Sequence, residues 1–406
     1  PDAFPSSLTQ CSLTSAMTDI PFNLSQATDV INGGNSNLLV SYFKLQSDAN
    51  NNISELPTNY SNVTNPEQIF AKVLNPLTGC YTLTTLELIV NSSTNPEISI
   101  RKCDDSTEDG LTQFQLSEVL ITGISATATT TYFTSLNDAF LEQNPINVSF
   151  TNTIAHTQTV FARVEENNEC QGIYSIKLTV DKLPQIELQD TKYICTNRPT
   201  QFITLTAGLS QVNAANFTYD WSTGQTTATI QVNLPGNYTV KVTSQFGCEK
   251  TRTISVLPSN DATIQNVVIQ DLVANNTVTV LLDSASIGDY LYSLDSPNGP
   301  FQESNHFENV EAGFHIVYVY STKGCGTTRE EISVLEIPKF FTPNQDGVND
   351  TWNIIGMNAS FYANSKIYIF DRFGKLLADV DPKSPGWNGV YNGYNVPSTD
   401  YWYRVT

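Results

Sequence analysis

The sequence predicts an all-β protein built as a tandem string of about five antiparallel β-sandwich domains. Three observations lead to this prediction. The chain has 406 residues, which corresponds to four or five small β domains of roughly 100 residues each. Its cysteines recur in one local context along the chain. The strands beside these cysteines alternate apolar and polar side chains, as half-buried strands do.

Composition excludes several classes of function. Hydrophobic residues make up 40% and charged residues 15%, which is apolar enough for folded domains. The 20 basic and 40 acidic residues give a net charge of −20, which disfavours binding to nucleic acid or to an anionic membrane. No run approaches the ~18 consecutive apolar residues of a membrane helix, so no membrane span is predicted.

The repeat unit is a strand, a tight turn near a cysteine, a second strand and a proline-marked junction. In the second unit, Tyr174, Ile176, Leu178 and Val180 alternate with polar residues, which predicts an antiparallel strand with one buried face. The strands before the turn are 69–73, 160–164, 237–242 and 315–320, and those after it are 86–90, 174–180, 252–256 and 331–334.

Six of the seven cysteines fall into three successive pairs. Redox or metal chemistry is one interpretation, but there is no CxxC motif and no Cys/His cluster with zinc spacing. Three intradomain disulfides are the favoured interpretation, each contributing on the order of 4 kcal/mol by loop entropy. Cys325 would then be a buried free thiol. The expected pairs are Cys11 with Cys80, Cys103 with Cys170, and Cys195 with Cys248.

The repeats and their junctions predict five domains, numbered 1 to 5 below: 1–95, 96–183, 184–258, 259–338 and 339–406. The junctions are short and carry proline, which restricts its own backbone and that of the preceding residue. We therefore expect a semi-rigid stalk. Pro1 does not open a signal peptide, and Thr406 falls inside an alternating pattern, so we expect the natural chain to extend beyond it and domain 5 to be truncated at its end.

Two segments of domain 3, 219–224 and 234–238, resemble PKD-type and related immunoglobulin-like modules, in which a tryptophan such as Trp221 packs across the sandwich. The cysteine-containing domains 1 and 2 resemble repeats of large Bacteroidetes surface adhesins. The residues that carry this resemblance lie around Cys11, 40–43 and 69–73 in domain 1, and around Cys103 and 161–164 in domain 2. The resemblance implies immunoglobulin-like modules and no particular ligand.

Domain 5 holds the most specific motif. The opening run 340–352 reads FFTPNQDGVNDTW, and the segment 371–374 joins two apolar strands as a hairpin in which Gly374 takes the φ > 0 position. A Gly-Trp-Asn-Gly turn and a final aromatic strand follow. The motif residues are Thr342, Pro343, Asn344, Asp346, Gly347, Asn349, Asp350, Trp352, Arg372, Gly374, Trp387 and Gly389.

This order of motifs resembles the type B, gliding-motility-associated C-terminal sorting domain of type IX secretion system substrates. The resemblance implies export across the outer membrane to the cell surface or the medium. It implies the type IX translocon and its outer-membrane shuttle proteins as partners. Gln345 and Asn388 depart mildly from the pattern, where Gly and Asp are commoner.

Asn344, Asp346 and Asp350 surround Gly347 with the side-chain oxygens that Ca²⁺ prefers, so this loop is a candidate calcium site. The alternative is that these side chains cap turns through Asx hydrogen bonds. No other cofactor is predicted. A second acidic patch at 104–109 is expected to be a solvated loop.

No motif of a hydrolase, metalloprotease or nucleotide-binding enzyme is present, so we expect no catalysis. Of the three histidines, His315 is expected to be a satisfied residue within a strand. The favoured function is the C-terminal stalk and export signal of a large adhesin, linked to gliding or attachment, with an extracellular carbohydrate or protein ligand. The alternatives are the non-catalytic tail of a secreted enzyme and a structural partner retained by the secretion or motility machinery.

Overall fold

The computed structural model describes residues 1–92, 95–166, 169–209 and 216–406. Residues 93 and 94, in the polar run that ends domain 1, lie outside this description. Contacts divide the chain into two compact units. The first is built on Pro1–Gln185 with Val242–Lys250, and the second on 186–209, Tyr219–Lys241 and Thr251–Thr406. Each helix among the described residues is too short or too polar to traverse a lipid bilayer.

Domain 1 places its first strand beside its last. The four-stranded sheet has the order β1-β6-β5-β3, and a second sheet pairs β2 with β4. The β1–β6 pairing is parallel, whereas β6–β5 and β5–β3 are antiparallel. The elements are β1 Ser6–Ser12, β2 Pro21–Asn23, a 3-10 turn Leu24–Ala27, α1 Thr28–Ile31, β3 Leu39–Phe43, α2 Gln46–Asn51, β4 Asn59–Ser61, β5 Glu67–Leu74 and β6 Tyr81–Ser92.

Domain 2 repeats this topology strand for strand. Its sheets have the orders β7-β12-β11-β9 and β10-β8, and β7 again runs parallel to the last strand. The predicted antiparallel β-sheets are therefore joined in these domains by one parallel pairing, that of the first strand with the last. The elements are β7 Ile98–Cys103, β8 Gln113–Gln115, a 3-10 turn Leu116–Glu118, β9 Thr129–Phe133, α3 Leu136–Leu141, β10 Ser149–Thr151, β11 Thr157–Glu166 and β12 Glu169–Asp181.

The predicted alternation in β12 is confirmed. Ile176, Leu178 and Val180 are buried, while Lys177 and Thr179 are partly exposed. The buried face contributes to one apolar core together with residues of β11 and the 3-10 turn. Burial of this one face fixes the register, because a slip of one residue would turn every apolar side chain to the solvent.

Domain 3 has the sheet orders β13-β18-β17-β15 and β14-β16, with β13 parallel to β18. Trp221 is buried and its indole N–H donates to the Thr227 carbonyl at 2.8 Å, as the resemblance implied for this residue. The strands are β13 Gln189–Cys195, β14 Ile203–Thr206, β15 Phe217–Trp221, β16 Thr229–Val232, β17 Gly236–Ser244 and β18 Glu249–Ser259.

Domain 4 consists of two three-stranded sheets, β19-β20-β22 and β21-β23-β24. His315 lies in β23, where its two ring nitrogens contact Asp295 Oδ2 at 2.7 Å and the Glu311 carbonyl at 2.8 Å, so the structural interpretation of this histidine is confirmed. The strands are β19 Ile264–Gln270, β20 Thr277–Leu282, β21 Tyr290–Leu294, β22 His306–Phe307, β23 Gly313–Ser321 and β24 Thr327–Val334.

Domain 5 forms a three-stranded sheet, β26-β25-β29, and a short pair, β27-β28. The predicted hairpin is confirmed: β25 and β26 pair antiparallel around Asp371, and Gly374 has φ +83°. The elements are α4 Ala359–Tyr362, β25 Ile367–Phe370, β26 Leu376–Val380, β27 Val390–Tyr391, β28 Tyr394–Asn395 and β29 Trp402–Val405.

The β12 core generates a stability prediction. Leu178→Ala should lower the free energy of unfolding of domain 2 by about 2–5 kcal/mol, because it removes a fully buried side chain and leaves a cavity. Thr179→Ala, one position along the same strand, should change it by less than about 1 kcal/mol. Hydrogen exchange of residues 157–181 in the whole chain measures both. Equal protection in the two variants would contradict the assigned register.

Candidate functional sites at the domain junctions and in the C-terminal motif

The disulfides join neighbouring domains, and the predicted intradomain pairing is wrong. Every Cα–Cα separation lies between 5.4 and 5.6 Å, within the usual range for a disulfide. Cys80 is an exposed free thiol, and Cys325, expected to be the unpaired one, is bonded. The bridges are Cys11–Cys170 from domain 1 to domain 2, Cys103–Cys248 from domain 2 to domain 3, and Cys195–Cys325 from domain 3 to domain 4.

Strand geometry explains why Cys11 does not pair with Cys80. Cys11 lies opposite Asn91 near the end of β6, while Cys80 immediately precedes the start of β6. The eleven residues from Cys80 to Asn91 span about 36 Å at ~3.3 Å per residue. A disulfide requires Cα atoms within about 7 Å of each other. Cys80 therefore lies at the start of β6, while Cys11 lies beside the other end of the same strand.

The same offset recurs in domain 2. Cys103 pairs in register with Asp181, eleven residues after Cys170. In domain 3, Cys195 pairs in register with Ser259, again eleven residues after Cys248 in the sequence. We call the first cysteine of a domain, at the end of its first strand, the donor cysteine. We call the second, at the hairpin before its last strand, the acceptor cysteine.

The junction of domains 1 and 2 surrounds its disulfide with a buried charged network. Arg163 is 3% exposed and pairs with Glu142 at 2.7 Å and Glu165 at 2.8 Å. It also donates to the side-chain oxygen of Gln10, whose amide nitrogen donates to the Phe140 carbonyl at 2.6 Å. Burial raises the pKa of Glu142 while the Arg163 charge acts in the opposite direction. A buried guanidinium needs such partners, since an unpaired buried charge is strongly destabilising.

The junction of domains 2 and 3 is held by Glu108, which accepts hydrogen bonds from Lys250 and from Gln185 at 2.6 Å. These two donors, Lys250 first, lower the pKa of the Glu108 carboxyl from its usual 4.5. The stabilisation from this carboxylate is complete above pH 4.5 and is lost as the pH falls through the lowered pKa. Beside it, the Arg101 guanidinium lies 3.8 Å from the ring centroid of Phe246.

The expectation of a solvated acidic loop after Cys103 is only partly met. Asp104 is buried, and its carboxylate accepts hydrogen bonds from the backbone N–H of Asp105 at 3.0 Å and of Gly110 at 2.9 Å. Its oxygens and those of Asp105 and Asp109 come within 4.8 Å of one another. The buried carboxylate therefore organises the loop that also carries Glu108.

At the junction of domains 3 and 4, Arg198 donates to both carboxylate oxygens of Asp261, at 2.9 and 3.1 Å. Asn197 donates to the same carboxylate at 3.1 Å. The Lys323 ammonium lies 4.6 Å from the ring centroid of Tyr193. Each disulfide-linked junction thus combines a covalent bridge with charge-assisted contacts.

The opening loop of the C-terminal motif is closed by its own side chains. The Thr342 N–H donates to the Asn349 carbonyl at 2.7 Å. The two oxygens of the Asp350 carboxylate accept from the N–H groups of Gln345 at 2.6 Å and Gly347 at 2.7 Å. This arrangement lets the loop take the positive φ angles of Gln345, Gly347 and Asn349.

The structure brings the three predicted calcium ligands together in this loop, but their oxygens already serve as turn caps. Asp346 Oδ1 accepts from the Val348 N–H at 2.8 Å, and Asn344 donates its amide to Asp346 Oδ2 at 2.8 Å. The Val348 N–H and then the Asn344 amide lower the pKa of Asp346. The geometry is that of the Asx-turn alternative. Calcium binding here stays a prediction, for which a metal titration is the test.

A second group of motif residues is packed. The backbones of Trp352 and Trp387 exchange hydrogen bonds at 2.8 and 2.9 Å, and both indoles are buried. The Trp387 ring meets Phe341 at 5.5 Å and Tyr401 at 5.1 Å between centroids. A Cβ on Gly389 would lie 3.2 Å from Pro343 Cγ, so a glycine lets this turn approach the opening loop. The opening loop at 341–344 and the turn at 386–389 therefore pack against each other.

Arg372 and Gly374 are placed elsewhere, at the exposed tip of the β25–β26 hairpin. The Arg372 guanidinium lies 5.0 Å from the Phe373 ring centroid, and the Phe373 side chain is 82% exposed. The motif thus includes buried residues that shape the domain and exposed residues that another protein can contact. An open groove of about 1490 Å³ in the second unit is lined by Val310, Phe341, Trp352, Trp387 and Tyr401, among others.

Comparison with protein families identifies both ends of the chain. Residues 7–94 and 99–184 match the Flavobacterium inter-domain disulphide bond domain. Residues 335–406 match the CHU_C type IX secretion signal domain. Both resemblances noted in the sequence, to surface-protein repeats and to a type IX sorting domain, are confirmed. No curated protein matches the chain.

Among solved structures, the chain is similar to immunoglobulin domains 1–4 of Sidekick-1, with 10% identity over 82% of this chain and 97% of that one, at a TM-score of 0.25. It is similar to extracellular domains 3–5 of Drosophila OTK, with 10% identity over 60% of this chain and 95% of that one, at a TM-score of 0.26. It is also similar to the human Desmocollin-1 ectodomain, with 10% identity over 75% of this chain and 73% of that one, at a TM-score of 0.20. The described residues are mostly β and form a series of small sheets; the likenesses to these structures support no shared function.

The disulfide connectivity has a direct test. Digestion of the unreduced, alkylated protein should yield three cross-linked peptide pairs, Cys11 with Cys170, Cys103 with Cys248 and Cys195 with Cys325, because the Cα atoms of each pair lie within bonding distance. Mass spectrometry identifies them. A pair joining Cys11 to Cys80 would contradict the parallel register of β1 and β6.

The packed part of the motif has a matched pair of glycine variants. Gly386→Ala would place a Cβ 2.6 Å from the Trp352 carbonyl, whereas Gly393→Ala, also at positive φ, meets nothing within 4 Å. In both variants an alanine at positive φ should lower the free energy of unfolding by about 1–2 kcal/mol. Gly386→Ala should lower it by a further ~1–3 kcal/mol because its Cβ overpacks the site. Thermal unfolding followed by tryptophan fluorescence compares them. Equal losses would contradict the close Trp352–Gly386 approach.

Proposed function

We propose that this chain, which carries two Flavobacterium inter-domain disulphide bond domains and ends in a type IX secretion signal domain, is the C-terminal stalk and export signal of a large surface adhesin. The signal domain directs export across the outer membrane to the cell surface or the extracellular space. It implies recognition by the secretion machinery. The proposed role is gliding motility or attachment, through an extracellular carbohydrate or protein ligand.

The overlap of the three disulfides carries the proposal. In the sequence, Cys103 lies between Cys11 and Cys170, so the first two bridges overlap. Cys195 likewise lies between Cys103 and Cys248, so the second and third bridges overlap. Along the backbone, Cys11 and Cys325 are 314 residues apart. Through the bridges, the shortest covalent path between them passes from Cys11 to Cys170, along 25 residues to Cys195, and on to Cys325.

This path limits how far the stalk can lengthen under tension. At about 3.5 Å per extended residue, 314 residues reach on the order of 1,100 Å and 25 residues about 90 Å. If single domains between Cys11 and Cys325 unfold under load, most of their chain is shielded from the force. Such a restraint benefits a protein that transmits pulling forces between a surface and a distant ligand, and is of little use to a freely diffusing one.

Force spectroscopy tests the restraint. Pulled between its two ends, the oxidised chain should reach a separation of at most about 90 Å between Cys11 and Cys325, and reduction should release on the order of 1,000 Å more. A variant in which Cys11, Cys103 and Cys195 are all changed to Ser should extend fully without reductant. Equal extension before and after reduction would contradict the shielding.

The adhesion role is tested in cells. Deletion of the gene should reduce attachment under flow or gliding, and complementation with the whole gene should restore it. Complementation with a gene lacking residues 335–406 should leave the protein inside the cell and restore nothing, because the export signal is gone. Normal attachment and gliding in the deletion strain, with loss of a degradative activity from the medium, would favour the tail of a secreted enzyme.

A further inference from the structure

We infer that the groove where domains 4 and 5 meet binds a neutral oligosaccharide chain. The groove lies within the second unit, and its volume of about 1490 Å³ exceeds that of a pocket for a drug-sized molecule, roughly 300–1,000 Å³. It therefore suits a ligand of several sugar rings. The inference deepens the proposed function by naming a site and a ligand class, and it rests on that function only for the role of the sugar in attachment.

The two walls of the groove are fixed to each other. The Leu335 N–H donates to Asp271 Oδ2 at 2.8 Å, and the backbones of Glu336 and Ile355 exchange hydrogen bonds at 3.2 and 2.9 Å. A Cβ on Gly356 would lie 2.4 Å from a backbone carbonyl oxygen of β24, so the domains approach closely there. Because the groove is formed before a ligand arrives, binding does not have to order its walls.

Aromatic side chains are concentrated in this groove. Three of the four tryptophans of the chain line it: Trp352, Trp387 and Trp402. The first two are buried, whereas Trp402 is 67% exposed and Phe340, in the same lining, is 68% exposed. A large aromatic ring exposed in a concave site is typical of a ligand contact. The face of a sugar ring carries C–H groups that pack on such a ring.

Polar side chains of the lining have hydrogen-bonding capacity to spare. Within the described part of the chain, the side chains of Asn395, Ser398 and Thr399 bond to no protein group. Asn276 donates its amide to the Val310 carbonyl at 3.2 Å, but its Oδ1 is buried and has no partner. The terminal torsion of an asparagine is broad, so this oxygen can turn toward a ligand. A sugar hydroxyl both donates and accepts and matches all these groups.

Charge complementarity favours a neutral sugar over an anionic one. The charged side chains in the lining are the carboxylates of Glu311, Glu336 and Asp400 and the single ammonium of Lys339. An excess of carboxylates repels sulfated and uronate sugars, as it repels nucleic acid and anionic lipid. A neutral sugar meets no such repulsion, and its hydroxyls can donate to the carboxylates.

An extended peptide is the alternative occupant, because β29 is an edge strand to which another strand could be added. Strand addition takes its specificity from pockets for alternate side chains of the peptide. The residues that precede Tyr401 and Trp402 in the lining are instead Ser398, Thr399 and Asp400, all polar and exposed. They complement hydroxyl groups better than apolar peptide side chains.

The test is a calorimetric titration of the purified chain 1–406 with neutral hexasaccharides of glucose, galactose, mannose and N-acetylglucosamine. At least one should bind and change the tryptophan fluorescence. Trp402→Ala should weaken its binding about tenfold or more, because the change removes an exposed aromatic contact. Phe373→Ala is the matched control: it removes a ring that is 82% exposed in the same domain but outside the groove, and the affinity should stay unchanged.

Thermal unfolding of both variants shows whether the domain remains folded, as the exposure of both rings leads us to expect. Three results would overturn the inference: no hexasaccharide binds at millimolar concentration, the two folded variants bind equally well, or a sulfated hexasaccharide binds more tightly than its neutral parent. Protection of β29 from hydrogen exchange by an extended peptide, with no sugar binding, would assign the groove to a peptide.

Failure of the proposed function gives a different result. In that case the deletion strain would attach and glide normally while the purified chain still bound the hexasaccharide. Conversely, if the strain loses attachment but the purified chain binds no sugar, the adhesion role stands and the assignment of this groove is wrong.

Discussion

The parallel pairing of each first strand with the last strand of its own domain is the interaction on which the remaining organisation of domains 1 to 3 depends. It fixes the donor cysteine near the C-terminal end of the last strand, opposite Asn91 in domain 1 and Asp181 in domain 2. The acceptor lies at the other end of that strand. An internal bridge would need the strand to shorten by about 30 Å, which an extended backbone does not allow. Each cysteine is therefore available only to a neighbouring domain.

The sequence was sufficient to predict the strands of the repeat, their alternation and the β25–β26 hairpin, because these depend on local pattern. The pairing of the cysteines could not be predicted in this way. Successive intradomain pairs give separations of 69, 67 and 53 residues, while the observed bridges span 159, 145 and 130. Both series are regular, and spacing alone does not choose between them. What chooses is the parallel partner of the first strand, a long-range contact with no local signal in 6–12 or 98–103.

The terminal motif shows a similar division. Its order identified the domain, and local rules predicted the Asx turns of 344–350, where Asp350 caps the N–H groups of Gln345 and Gly347. Local rules did not predict that Trp352 and Trp387 would pair through their backbones, since 35 positions separate them. Local rules also did not predict that the two indoles would be buried while the Arg372–Phe373 tip is exposed. The tip is accessible at the surface, while the two tryptophans lie inside the domain.

The bridges give the series a direction, because donor and acceptor are different positions. Head-to-tail linkage of this kind does not close on itself, so it needs something to end it. At the C-terminal side the end is visible in the residues. Domain 4 carries the acceptor Cys325, but its first strand, Ile264–Gln270, has no cysteine, and residues 339–406 contain none. The secretion signal domain is thus outside the covalent series. Because none of the three bridges reaches residues 339–406, the unfolding of this domain is not coupled to that of the bridged domains through a disulfide.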